Sequence, residues 1–375
     1  MTSKDRMLTA FNHGVPDRVP VSPGISAMIP ARLTGRPFWD LYLYGKYSPG
    51  QAYMDAVRHF KFDGWASAGP GKFGDDKRVF SQREIEHTDE RIVTETACTT
   101  PAGTMTQETV YRKYDVPAQR KRYVKNLAED FDKLKYFYPD PDSADYSPIK
   151  TSMDKMGDDG VMGFGVSVPG LHSMLDLREG GLESLAYDLY DTPDLIEQWR
   201  VIWHEHTVKL VKRAVEYKPD YIMMGASGLL TLQSPQLFRQ LSLPTIKEVT
   251  AIARAHNIPS HLHACGKSKY LVEVFANETG LDSICPLEMP PMGDIVLSEI
   301  KNLYGNKLCF KGNIHTTQTM LFGSALDVEN AAKKCIDDAA KGGGYILATG
   351  DQCGRDTPYE NLFKLAEVAR TYGKY

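Results

Sequence analysis

The chain has 375 residues, with 44 Lys and Arg against 48 Asp and Glu, for a formal net charge of −4. That balance speaks against nucleic acid or an anionic membrane as a partner, because both require a basic surface. Hydrophobic residues at 42% and charged residues at 25% are globular values. A chain of this length buries roughly three quarters of its unfolded surface and needs no disulfides to stay folded.

The six cysteines, Cys98, Cys265, Cys285, Cys309, Cys335 and Cys353, are too sparse for a disulfide-stapled secreted scaffold. The first residues show no apolar signal-peptide core, and no apolar run approaches the length of about 18 residues that a membrane span requires. The expected compartment is the reducing cytoplasm, where a functional cysteine is a metal ligand or a nucleophile rather than half of a bridge.

In chain order, Ser3 is placed to cap a helix that stops at Gly14. Arg18–Ser22 and Phe62–Ala66 read as short apolar strands. From about 70 to 150 the pattern changes: Arg91–Cys98 and Thr104–Tyr111 alternate around Pro101–Gly103, which predicts a β-hairpin packed on the main body as an insertion. Strand-like apolar runs then recur at Gly160–Val168, Tyr221–Gly225, Ile258–His263, Leu281–Cys285, Lys307–Lys311 and Tyr345–Thr349. Thr192-Pro193, Ser234-Pro235 and Thr357-Pro358 put a capping hydroxyl before Pro at helix starts between these runs, and Thr357-Pro-Tyr-Glu360 spells a capping box. Eight strands alternating with helices predict an α/β fold, a (β/α)8 TIM barrel with a β-hairpin insertion between strands two and three. The alternative is an open doubly wound sheet, against which stands the lack of a Gly-rich phosphate turn after the first strand. With no linker visible, residues 1–375 read as a single barrel domain carrying the insertion.

In a barrel the C-terminal strand tips carry function. The fifth strand ends in His261-Leu-His263-Ala-Cys265-Gly266, and alternation puts His261, His263 and Cys265 on one side, with His261 one layer deeper. The next three tips end in Cys285-Pro-Leu-Glu288, Lys311-Gly-Asn313-Ile-His315 and Gly350-Asp351-Gln-Cys353-Gly354. His263, Cys265 and Cys353 form a candidate zinc set, with the fourth position open or taken by Glu288. The same residues also describe two buried thiols beside a core histidine, and spacing leaves both readings open. His261 reads as a hydrogen-bonded histidine that orients a neighbouring ligand. Glu288, Asp351 and His315 are the acid–base candidates; His315 and Asn313 read equally as ligand contacts or as residues that end their loop. Cys285 lies near the site; Cys98, Cys309 and Cys335 read as packing residues.

Several of these segments carry a family resemblance. His263-Ala-Cys265-Gly266, Pro286-Leu-Glu288 with Pro290-Pro-Met-Gly-Asp294, Lys311-Gly-Asn-Ile314, Gly342-Gly-Gly-Tyr-Ile346 before Cys353, and the early Asp17-Arg-Val-Pro-Val21 and Ser234-Pro235 together resemble the uroporphyrinogen decarboxylase superfamily over nearly the whole chain. The resemblance implies a (β/α)8 barrel. The decarboxylase branch binds a polycarboxylate tetrapyrrole without metal, through an Arg-rich segment after the first strand; here Ser22–Arg32 carries one Arg, so most of that charge is missing. The corrinoid-dependent methyltransferase branch carries zinc on a His-x-Cys…Cys set. Resemblance to it implies His263, Cys265 and Cys353 as zinc ligands, a corrinoid (cobalamin) held by a partner protein, a small methylated substrate and, by analogy with dimeric relatives, a homodimer.

The expected activity is therefore transfer of a methyl group from a small donor, such as an aryl methyl ether, to Co(I) of the partner's corrinoid. Such a step asks for positioning, desolvation and charge stabilisation more than for acid–base work. The aromatic-rich Arg36–Tyr44 segment, with 20 Tyr and 14 Phe in the chain, is the expected source of an aromatic pocket. The alternatives are a methylcobalamin:thiol methyltransferase of the coenzyme M type, a porphyrinogen decarboxylase, and a metal-stabilised binding protein without turnover.

Overall fold

The structure, a computed structural model, describes residues 1–25 and 27–375; Ser26, within the Ser22–Arg32 segment, lies outside the described residues. In chain order the strands are β1 (Gly64–Ala68), β2 (Val79–His87), β3 (Arg91–Thr100), β4 (Gly103–Arg112), β5 (Ala118–Lys121), β6 (Gly160–Ser167), β7 (Tyr221–Gly225), β8 (Ser260–His263), β9 (Ser283–Cys285), β10 (Cys309–Ile314) and β11 (Tyr345–Thr349). They form two sheets: a seven-stranded parallel sheet in the order β1-β6-β7-β8-β9-β10-β11 and a four-stranded antiparallel sheet in the order β2-β3-β4-β5. Every residue of β9, β10 and β11 is buried. This is why these strands read as continuous apolar runs: helices cover one face of the sheet, and side chains from across the curl fill the other.

Seven regular strands stand where eight were expected, because Arg18–Ser22 forms only an abbreviated ladder. Val21 pairs in parallel with Leu347 of β11. The Ser22 amide donates to the Leu347 carbonyl at 2.9 Å, the Leu347 amide to Pro20 O at 2.8 Å, and on the other side the Asp63 amide donates to Val21 O at 2.8 Å. Pro20 has no N–H to offer, which keeps the pairing short. The segment thus lies between the two outer strands of the curled sheet, β1 and β11.

A buried ionic cluster fixes it there. Asp63 is fully buried and accepts from Arg6 Nη1 at 2.8 Å, Arg18 Nη1 at 2.9 Å, Arg18 Nη2 at 3.0 Å and the Val21 amide at 2.8 Å. Arg6 arrives from the helix Ser3–Phe11, and its Nε also holds Asp17 at 2.6 Å.

The antiparallel sheet is larger than the expected hairpin. β3 and β4 pair from Arg91↔Arg112 to Thr100↔Gly103 around the anticipated turn, whereas β2 and β5 carry no apolar alternation, since nearly all their residues face solvent. Buried Cys98 and Met105 pack with Leu171, Trp199 and Leu241, joining this sheet to the helices of the main body.

Helix starts depart from expectation at three places. The first helix is capped by Thr2, whose hydroxyl accepts from the Asp5 amide at 3.0 Å, not by Ser3. Ser234 caps as read, accepting from the Leu237 amide at 3.2 Å. Thr192 instead donates to the Asp188 carbonyl at 3.1 Å, and Thr357 forms no capping box, because its helix begins at Tyr359. Among the described residues, no helix is long and apolar enough to cross a membrane.

Two stability predictions follow from this packing. Asp63→Asn leaves the buried Arg18 guanidinium without a counter-charge and Arg6 with Asp17 alone, and is expected to cost about 3–5 kcal/mol, read as a lowered denaturant midpoint. Burial also holds His172 down to about 4, below its ordinary 6.5, so the folded chain keeps this ring neutral where the unfolded chain protonates it. That contribution is complete above pH 6.5 and is lost as pH falls towards 4, worth at most about 3 kcal/mol. Unfolding midpoints measured from pH 7 to 4 should show the slope in the wild type and a flatter profile in His172→Asn.

Candidate functional site

The C-terminal ends of the parallel strands surround a cavity of about 560 Å³, whose wall includes Tyr53, Trp65, Met162, Tyr221, His263, Cys285, Lys311 and Asp351. Parallel pairing sets the lateral placement: His263 at the end of β8 lies beside Cys285 at the end of β9, and His261 beside Ser283. Two imidazoles therefore flank one thiol. Cys285 Sγ is 3.1 Å from His261 Nε2 and 3.3 Å from His263 Nδ1, and His261 Nδ1 hydrogen-bonds Ser283 Oγ at 2.9 Å. His261 is fully buried against Trp65, with ring centroids 5.1 Å apart, and burial drives it well below its ordinary value. It is a fixed neutral ring behind the site, as its position one layer down suggested.

At the mouth, one ligand atom from each of His263, Cys265 and Asp351 lies within 4.8 Å of the others. His263 Nε2 stands 4.0 Å from Asp351 Oδ1, which leaves Nε2 facing the cluster while Nδ1 faces Cys285. Burial lowers His263, the nearby Asp351 opposing it, and raises the Cys265 thiol, with Asp351 adding to the rise. The three groups fit a zinc ion. Donors at about 2.0–2.3 Å from a tetrahedral zinc sit close to the observed separations, and imidazole, thiolate and carboxylate are all accepted ligands, with a fourth position left open.

The cluster includes Asp351, whereas Cys353, the expected third ligand, lies outside it. Cys353 is 1% exposed and packs into the main core, where burial pushes its thiol up to about 12 and the Thr349 side chain is its hydrogen-bonding neighbour. Asp351, expected as an acid–base residue, is the β11-side member of the cluster. It adopts φ 128°, a conformation that side chains other than Gly rarely take and that marks functional loops. The loop is braced from below: Thr349 Oγ1 donates to the Asp351 carbonyl at 2.7 Å, and the Cys353 amide donates to Gly24 O at 2.7 Å. A Cβ on Gly24 would come within 2.6 Å of the Asp351 carbonyl oxygen, so only Gly lets the two backbones meet.

Glu288 is buried and accepts from the Gly266 amide through Oε2; burial raises its carboxyl, partly offset by that amide. His315 is engaged by its own loop. Its Nδ1 accepts from the Thr317 and Gln318 amides at 3.1 Å each and caps the helical turn Thr316–Leu321. Asn313 Nδ2 likewise donates to Leu287 O at 3.0 Å, so both side chains organise loops. Nor does Arg36–Tyr44 line the cavity: Phe38 and Leu41 are buried in a separate small cluster, and the aromatic wall comes from Tyr53, Trp65 and Tyr221. Sequence reasoning passed over Lys311 and Trp65 as site residues, although a lysine closing the apolar run Leu308–Phe310 was a visible anomaly.

Comparison with known proteins now bears on the site. The uroporphyrinogen decarboxylase (URO-D) family model matches residues 90–372, so the chain belongs to that family. Comparison with curated proteins returns no match. Among solved structures, a methyltransferase from Methanosarcina mazei is similar at 19% identity with a TM-score of 0.65, covering 99% of each chain.

The ligand assignment predicts a clear order among variants. Purified wild type should hold about one zinc per chain. Cys265→Ala and Asp351→Ala should lose it on dialysis, while Cys353→Ala should retain it, measured by elemental analysis. Loss in Cys353→Ala with retention in Asp351→Ala would reverse the assignment.

Proposed function

We propose that the protein is a zinc-dependent methyltransferase that moves a methyl group from a small methylated donor, an aryl methyl ether by preference, to the Co(I) corrinoid of a partner protein docked over the strand tips. In this reading the curled sheet together with Pro20–Ser22 is one (β/α)8 barrel, with residues 70–150 as its insertion. The observation that carries the proposal is the His263, Cys265, Asp351 cluster at the mouth of a cavity walled by methionine and aromatic side chains. Family membership and the likeness in fold to a solved methyltransferase support it.

Zinc held by His263, Cys265 and Asp351 would act as a Lewis acid towards the atom that keeps the electron pair when methyl departs. The chain's own residues do the rest. His261 and Cys285 hold His263 by its Nδ1 side, which keeps Nε2 towards Asp351. Tyr53, Trp65, Tyr221 and Met162 exclude water and hold an apolar donor in place, supplying the positioning on which methyl transfer depends. Glu288, raised by burial and fixed through Oε2 by Gly266, can carry on Oε1 a proton for the oxygen that loses its methyl.

One carboxylate and one thiolate make a harder set than the two thiolates expected from the sequence. A harder site suits an oxygen leaving group better than a thiol acceptor, which favours the ether reading over methylcobalamin:thiol transfer. Porphyrinogen decarboxylation is disfavoured by the cations available. Arg32 spends Nη1 on the Arg355 and Thr357 carbonyls at 2.9 and 3.0 Å, and among the described residues of the cavity wall Lys311 is the one Lys or Arg.

The test is to mix zinc-loaded protein with Co(I) corrinoid and a series of methyl ethers, and separately with methylcobalamin and thiols, while following the cobalt absorption. Methylation of Co(I) with an ether is expected, and Cys265→Ala should abolish it. No change in cobalt absorption in either direction would refute the methyltransferase reading.

A further inference from the structure

Lys311, on β10, is 3% exposed, and its ammonium makes no ion pair or hydrogen bond among the described residues. Its Nζ sits 4.3 Å from the centroid of the Trp65 ring. Both residues line the cavity, Trp65 through its ring, since its buried Nε1 has no exposed surface. Lys311 follows Phe310, the partner of Ile284, and so stands level with Cys285 and with His263, a member of the metal-ligating cluster.

A buried ammonium without a partner is costly to keep charged, and burial accordingly lowers Lys311, with Cys285 and Asp351 opposing the shift. Such a cation persists where a ligand supplies the missing counter-charge. The acceptor that suits it is an oxyanion, and Met54, Met162, Met223 and Tyr53 give the body of that ligand an apolar wall, interrupted by Ser67 and Ser227.

We infer that the small molecule bound in this cavity carries a carboxylate, paired with Lys311 Nζ beside the His263, Cys265, Asp351 cluster. This deepens the methyltransferase reading and rests on it for the identity of the reacting group. Lys311 is then a specificity determinant that selects acidic over neutral ligands.

The test is calorimetric binding to the zinc-loaded full chain, with two pairs of probes. For the donor, 4-methoxybenzoate is compared with 4-methoxybenzamide; for a thiol acceptor, 3-sulfanylpropanoate is compared with 2-sulfanylethanol. The acid of at least one pair should bind about 30-fold or more tighter than its neutral partner. Lys311→Met, which keeps the length of the side chain, should erase that preference at unchanged zinc content. Equal binding of acid and neutral probes, a preference that survives Lys311→Met, or no binding of either acid would overturn the inference. The two readings fail separately. A preference confined to the thiol pair upholds Lys311 and removes the ether donor, whereas cobalt methylation from neutral ethers that is indifferent to Lys311→Met upholds the methyltransferase and removes the carboxylate.

Discussion

The buried carboxylate of Asp63 is the constraint on which the remainder of the molecule hangs. A charge with no solvent must be matched by donors in fixed places, and here two arginines and a backbone amide from two separate stretches of chain converge on it. The consequence reaches well past the ion cluster. It holds Pro20–Ser22 between β1 and β11, and from there the chain continues as Pro23–Ile25 into the cavity wall. Gly24 then slides under the Asp351 loop, where no side chain would fit. An electrostatic knot beneath the sheet is thus connected by a few residues of taut backbone to the placement of a candidate metal ligand.

The cavity is organised as two layers with different chemistry. At the mouth, His263, Cys265 and Asp351 bring together a soft donor, a borderline donor and a hard one, held by strand pairing on one side and by a strained loop on the other. Beneath it, His261 and Trp65 form a dry layer, and Lys311, level with Cys285, lays its ammonium over the Trp65 ring; burial lowers both His261 and Lys311. Cys285 stands between the layers, its thiol pushed up to about 12 and bridging the two histidines, so it acts as a spacer that keeps His263 turned outward.

Much of the fold was legible because burial leaves a mark on composition. Strands enclosed on both faces, such as Tyr345–Thr349, are written as unbroken apolar runs. The β3–β4 hairpin announced itself through alternation around Pro101–Gly103. β2 and β5 left no mark, since a strand wetted on nearly every residue has no apolar face to betray it. Caps were half legible: Ser234 caps as its motif suggests, whereas Thr357 sits one residue too early for the helix that follows.

The sequence by itself determined the class of the site. Ligand-type residues at strand tips can be read from alternation alone, and the pair His263 and Cys265 is local, two residues apart on one strand. The third partner was decided by tertiary structure. Asp351 and Cys353 are also two residues apart, and spacing cannot say which of them turns inward, because the loop after β11 leaves regular geometry at φ 128° and alternation no longer applies. The same holds for Lys311 and Trp65, which are distant in the chain and meet only because the sheet curls β1 towards β10. Local periodicity fixes which face a residue takes, and only closure of the sheet fixes what it faces.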